Sequence, residues 1–175
     1  LDGLPSDCPI LFTEHHVAHA ASAFYPSPFD RASIITVDGV GEWATTTISR
    51  GADDRIKMLR ELHFPHSLGL LYSAFTAYCG FRVNSGEYKL MGLAPYGKPR
   101  FAGAIIENII DLKPDGSFRL NMDYFGFLKG SKMTNHRFEQ LLGGSPRDPE
   151  SPFEQRHMDV AASVQEVVSE AMLRL

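Results

Sequence analysis

Cys8 and Cys79 are the only cysteines in the chain, and they stand far apart with no CxxC spacing. That leaves no basis for a disulfide-stapled scaffold or a cysteine-built zinc site, and a reducing, cytoplasmic setting is the expectation. Also missing are any apolar run of about 18 residues, the length a membrane-crossing helix needs, and any charged-then-apolar leader. No membrane partner is expected. Basic residues are in deficit, with 17 Lys and Arg against 21 Asp and Glu and a formal net charge of −4, so the footprint of a nucleic-acid reader is absent. There is no GxSxG elbow, no Walker A phosphate loop, no internal repeat and no low-complexity segment.

What is present is an ordinary globular composition. The 175 residues are 43% hydrophobic and 22% charged, enough for one domain that buries roughly two-thirds of its unfolded surface. The chain opens on Leu1 rather than Met and reaches Leu175 inside a helical period, so both ends read as boundaries within a longer protein.

Residues 1 to 12 hold turn formers and then Pro9-Ile10-Leu11-Phe12, which reads as a short edge strand. A helix from Glu14 to about Tyr25 follows, with Thr13 as N-cap and Glu14 in the first turn. Its Val17, Ala20, Ala21 and Phe24 fall at the spacing of a core stripe, and Pro26 and Pro28 end it. Ser33 to Val37 is a β-branched strand closed by an Asp38-Gly39 turn, Trp43 to Ser49 is the returning strand, and Gly51 to Asp54 is the next turn. Ile56 to Phe64 completes an antiparallel three-strand meander, although its Lys57-to-Leu62 pattern also suits a helix. Leu68 to Tyr78 is apolar almost all round and reads as a buried helix ending at Gly80. Helices are also predicted over Tyr88 to Leu93 and Phe101 to Ile110, then a hairpin turn at Lys113 to Ser117 before the strand Phe118 to Leu120. From Asp123 to Ser151 the pattern loosens, and Asp159 to Leu175 returns to a helical period.

The chemistry concentrates at Glu14-His15-His16-Val17-Ala18-His19-Ala20 and Asp38-Gly39-Val40-Gly41-Glu42. On a helix, His15 and His19 lie one turn apart and off the core stripe, so two imidazole nitrogens can meet one ion, with Asp38 as a carboxylate completing the set. Two histidines and one carboxylate suit iron(II) as well as zinc. Solvated surface histidines are the alternative that spacing alone leaves open. His16 projects about 100° away and reads as a substrate contact or a neighbour of the ligands rather than a ligand. Gly39 and Gly41 would let backbone amides approach an anion, although a strand-turn-strand hairpin often needs glycine only for its turn. Gly86 to Ala94 opens a helix with Glu87 and Lys89 near its N-terminus, where anions bind favourably, and core packing accounts equally for its Met and Leu content. Cys79, among aromatic and small residues, reads as a buried inert thiol.

Four blocks in order, His15 to Ala20, Val37 to Glu42, Phe64 to Tyr72 and Asn84 to Gly97, resemble the nodulation-type O-carbamoyltransferases; beyond Asp111 the likeness rests on Asp159 to Glu166. The resemblance implies an α/β fold, an actin-like ATPase (ribonuclease H-like) half-domain in which the meander precedes helices packed on a mixed sheet. It implies a partial carbamoyltransferase domain over 1–175, divisible into a motif-bearing core over 1–110 and a hairpin, loop and helical extension over 111–175. In such enzymes a separate domain makes carbamoyl-adenylate from carbamoyl phosphate and ATP. The actin-like domain then binds that adenylate beside a metal, often iron, and passes the carbamoyl group to an acceptor hydroxyl on a sugar, antibiotic or similar small molecule. By motif match, His15, His19 and Asp38 are metal ligands, Gly39, Val40, Gly41 and Glu42 face the adenylate, and His16 and Lys89 are the catalytic candidates. Whole members of the family are several times longer, so this chain is expected to supply one side of a cleft, to be inactive in isolation, and to self-associate, as a homodimer, through the surface its missing half would cover. A non-catalytic nucleotide-binding actin-like module and an ATP-dependent small-molecule kinase fragment are the competing readings, and neither needs the paired histidines.

Overall fold

Two β-branched stretches and a third, mixed one, joined by two-residue turns, pair into one antiparallel sheet in the computed structural model, which describes residues 8–175. The turn formers expected before Cys8 lie outside the described residues. The strands are β1 (Arg31–Gly41), β2 (Ala44–Ala52) and β3 (Arg55–His63), in the order β1-β2-β3. The connecting turns place Glu42 at φ 61° and Asp53 at φ 55°, the left-handed conformation that matches a tight loop to the twist of its strands. The meander is therefore present, and the stretch that also suited a helix is β3. The first strand does not close at Asp38-Gly39 as expected. Its register against β2 shifts between Val37 and Gly41, which absorbs Asp38 to Val40 into the strand as an irregularity and moves the turn to Glu42-Trp43.

Helix α1 (His15–Phe24) crosses this sheet and packs Ala20 and Phe24 against Ile34. Its cap is Glu14 rather than Thr13, and no side-chain cap bond is made. Pro9 to Phe12 form no strand: Ile10, Leu11 and Phe12 are exposed, and none of the described strands pairs with them.

The rest of the chain is a helical body. It comprises α2 (Leu68–Tyr78), α3 (Glu87–Leu93), α4 (Ala102–Asn108), the hairpin β4 (Ile110–Leu112) and β5 (Phe118–Leu120), α5 (His136–Leu141) and α6 (Gln155–Arg174). The fourth helix stops two residues short of its expected end because Ile110 starts the hairpin. The loosened stretch contains α5, capped by the Asn135 side chain, which accepts from the Arg137 and Phe138 amides. The last helix starts earlier than its apolar period, where Glu154 and His157 form a reciprocal cap. Val160, Val164, Val167 and Ala171 lie buried along α6 and join a core with Leu71, Phe75, Ile105, Phe118 and Phe138. That core draws on both sides of residue 110. Among the described residues both sheets are antiparallel, so the mixed sheet is corrected. Every strand pair here is joined by a short turn, and a parallel pair needs a crossover of a dozen or more residues.

Candidate metal centre

Successive inward positions of β1 meet successive layers of α1. Ile34 meets Ala20 and Phe24, Thr36 meets His16, and Asp38 meets His15 and His19. The period of two along the strand and the i, i+4 spacing along the helix thus bring together three side chains that lie up to 23 residues apart. His15 Nε2 lies 2.6 Å from Asp38 Oδ2, His19 Nε2 lies 2.9 Å from His15 Nε2, and His19 Nε2 lies 3.7 Å from Asp38 Oδ2. Their ligand atoms all fall within 4.8 Å of one another, the only such His, Cys, Asp or Glu group among the described residues.

The backbone approaches this cluster closely at two glycines, whereas Gly39 beside Asp38 faces open space. A Cβ on Gly41 would lie 2.2 Å from His15 Cδ2, and one on Gly69 would lie 2.6 Å from the Asp38 carbonyl oxygen. Gly41 is therefore the residue against which the His15 ring rests, and Gly69 lets the first turn of α2 reach the strand. Ser67 completes that junction: its hydroxyl donates to the Asp38 carbonyl at 2.9 Å and accepts from the Leu70 amide at 3.0 Å. Asp38 Oδ1 accepts from the Gly39 amide at 2.6 Å, which leaves Oδ2 to the histidines. Burial pushes the Asp38 carboxyl up, but the Gly39 amide, the His15 hydrogen bond and the two imidazole charges outweigh it and hold the group below its ordinary range.

The other anticipated residues are placed differently. His16 is buried and both its ring nitrogens are engaged, one with Thr36 and one with the Ala44 carbonyl. The Gly39 amide is taken up by Asp38, whereas Val40 and Glu42 are exposed beside the hairpin turn. Lys89 is exposed on α3 with its ammonium 6.0 Å from the Tyr88 ring centroid, and no recorded bond links it to the histidine cluster. The start of α3 is occupied by its own Glu87, whose carboxylate accepts from the Asn84 and Gly86 amides and the Ser73 hydroxyl. Cys79 is fully buried, and burial pushes its thiol up to about 12. Thr36, Ser67 and Gly69 were given no role at the site by the sequence reading, although Ser67 and Gly69 fall in the block Phe64 to Tyr72. A capping serine before an apolar helix was the available signal for Ser67; nothing local marks the other two.

Residues 6–175 match the protein family described as Carbamoyltransferase N-terminus. The chain is 60% identical over 167 residues to the uncharacterized protein sll1178 of Synechocystis, which covers 95% of this chain and 27% of that protein. It is 35% identical over 161 residues to the nodulation protein NolNO of Sinorhizobium fredii, covering 91% of this chain and 22% of the relative. To the nodulation protein NolO of Bradyrhizobium diazoefficiens it is 32% identical over 156 residues, covering 88% and 26%. The chain thus spans about a quarter of the length of these curated relatives.

Proposed function

We propose, because the chain belongs to the Carbamoyltransferase N-terminus family, that it supplies the metal-bearing wall of an enzyme that transfers a carbamoyl group from carbamoyl-adenylate to the hydroxyl of a small molecule. The observation that carries the metal part is the convergence of His15, His19 and Asp38. Two imidazole nitrogens and one carboxylate oxygen are the donor set of a first-row divalent ion, with iron(II) the favoured identity. The donors also crowd one another in a way that a cation relieves. Two Nε2 atoms and one carboxylate oxygen point at each other across 2.6 to 3.7 Å, and protons on Nε2 can bridge only some of these contacts. Held there, the ion would supply Lewis-acid polarisation of a carbamoyl carbonyl or a phosphate oxygen.

The chain's own residues do the rest of the work on this wall. His15 and His19 must carry their protons on Nδ1 so that both Nε2 lone pairs face inward. The Gly39 amide fixes the Asp38 carboxylate so that Oδ2 is the free oxygen. The segment from Gly39 to Glu42 borders the cluster and would face the phosphate of the adenylate. No described helix is long and apolar enough to cross a membrane.

The test uses the full-length parent. Elemental analysis should find one equivalent of divalent metal, and the protein should consume ATP and carbamoyl phosphate with a hydroxylated acceptor. The double variant His15→Ala, His19→Ala should lose both metal and transfer while keeping its melting temperature close to that of the metal-free parent. Retention of either metal or transfer in that variant would overturn the assignment.

A further inference from the structure

The third histidine of the cluster points the other way. His16 shares the buried face of α1 with Ala20 and Phe24, yet it is a polar ring in a position where an aliphatic side chain would serve for packing. Its Nε2 lies 2.9 Å from the Ala44 carbonyl oxygen and its Nδ1 lies 2.6 Å from Thr36 Oγ1. Thr36 Oγ1 in turn lies 2.7 Å from Thr47 Oγ1. A carbonyl only accepts, so Nε2 carries the proton. For the neutral ring, Nδ1 then accepts from the Thr36 hydroxyl, which accepts from Thr47.

This chain ties the helix to both strands of the hairpin that carries Asp38. Thr36 is two residues before Asp38 on β1, and Ala44 is the first residue of β2 after the turn. Apart from the His15–Asp38 contact of the candidate site itself, no other side-chain bond among the described residues ties the start of the helix to the sheet. Glu14 makes no side-chain cap bond, and residues 8–14 are exposed and without regular structure. Apolar contacts of Ala20 and Phe24 hold the later turns, but burial is non-directional and tolerates rotation, whereas two hydrogen bonds on opposite edges of one ring do not. The residue so anchored is the immediate neighbour of His15 and lies three before His19.

We infer that His16, held by Thr36 and Thr47, is a positioning residue that sets the angle at which α1 presents His15 and His19 to Asp38; this rests on the metal reading above. The experiment is titration of the metal-free full-length parent with Co(II), read by visible absorbance, alongside a melting temperature for each variant. Thr36→Val keeps the shape and removes the hydroxyl, and it should weaken Co(II) binding by about 10-fold, taking as the scale the lower end of what outer-shell changes cost in metal affinity. Thr36→Ser restores the hydroxyl and should return affinity close to wild type. Val164→Ala, in the separate helical core, should lower the melting temperature without changing Co(II) affinity. Thr36→Val binding Co(II) as tightly as wild type, or Thr36→Ser failing to restore it, overturns the inference and leaves the metal reading standing. A wild-type parent that takes up no Co(II) overturns the metal reading and this inference with it.

Discussion

The sheet that carries the candidate site and the helical body behind it are held together by different physics. The body has a continuous apolar core in which Phe75, Phe138, Leu142, Val160 and Val164 are fully buried. Buried apolar side chains between α1 and the sheet are few, namely Ala20, Phe24 and Ile34. Much of what is buried in the sheet is hydroxyl, at Thr36, Thr45, Thr46, Thr47 and Ser49, and α1 adds the buried imidazole of His16. A hydrophobic core tolerates sliding and repacking, whereas a hydrogen-bonded one fixes angles. The region in which His15, His19 and Asp38 converge is the one built from directional bonds, and the larger apolar core lies in the body.

The sharpest way to break that contrast is to cut into each region. Phe138→Ala, which removes a ring in contact with Phe75, Tyr78 and Phe125, should cost about 3–5 kcal/mol, measured by urea unfolding of the full-length protein. A loss below about 1 kcal/mol would remove the distinction between the regions. Next in size, Thr45→Val deletes a hydroxyl that donates to the Leu62 and His66 carbonyls and should cost about 1–3 kcal/mol. Its neighbour sharpens the comparison by changing sign. Thr46 Oγ1 is the only buried side-chain oxygen or nitrogen without a partner among the described residues, so Thr46→Val should be neutral or stabilising by up to about 1 kcal/mol.

The body's own polar contact is open to a pH test. Asp159 is buried on α6 and bonded to the Lys98 amide, the Gln155 side chain and Arg100. Burial pushes its carboxyl up, but those bonds and the nearby charges of Arg100 and Lys98 outweigh it and hold the group below its ordinary range. A folded value below the unfolded one means that its contribution is complete above the unfolded pKa. It is lost as the pH falls through the folded value. Stability measured from pH 6 to pH 3 should therefore drop less steeply in Asp159→Asn than in the wild type; equal slopes would remove Asp159 from the acid limb. The smallest effect is chemical. Exposed Cys8 should react with a thiol reagent within minutes in the folded protein, and Cys79 only on unfolding.

Patterns of the chain were informative wherever the responsible signal was local. The helix Leu68–Tyr78 has the bounds its apolar run indicated, the meander followed from β-branched runs and turn residues, and the hairpin at Lys113 to Ser117 followed from its Pro-Asp-Gly sequence. Spacing put His15 and His19 on one face and offered Asp38 as their partner. The misses share a physical cause. The strand expected at Pro9 to Phe12 depends on a pairing partner, the irregularity at Asp38 to Val40 depends on the register of a neighbouring strand, and the placement of His16 depends on the Thr36 hydroxyl 20 residues away and the Ala44 carbonyl 28 residues away.

By itself, then, the sequence determined which residues could act as ligands and which elements would carry them, because helical and strand periods are properties of neighbouring residues. Only the tertiary structure decided that the carboxylate and imidazole atoms meet within 4.8 Å, that Gly41 and Gly69 are positions where close approach demands glycine, and that His16 is buried with both ring nitrogens engaged by Thr36 and Ala44. Those are facts of distance between segments remote in the chain, and they are set by how α1, the hairpin and α2 pack against one another.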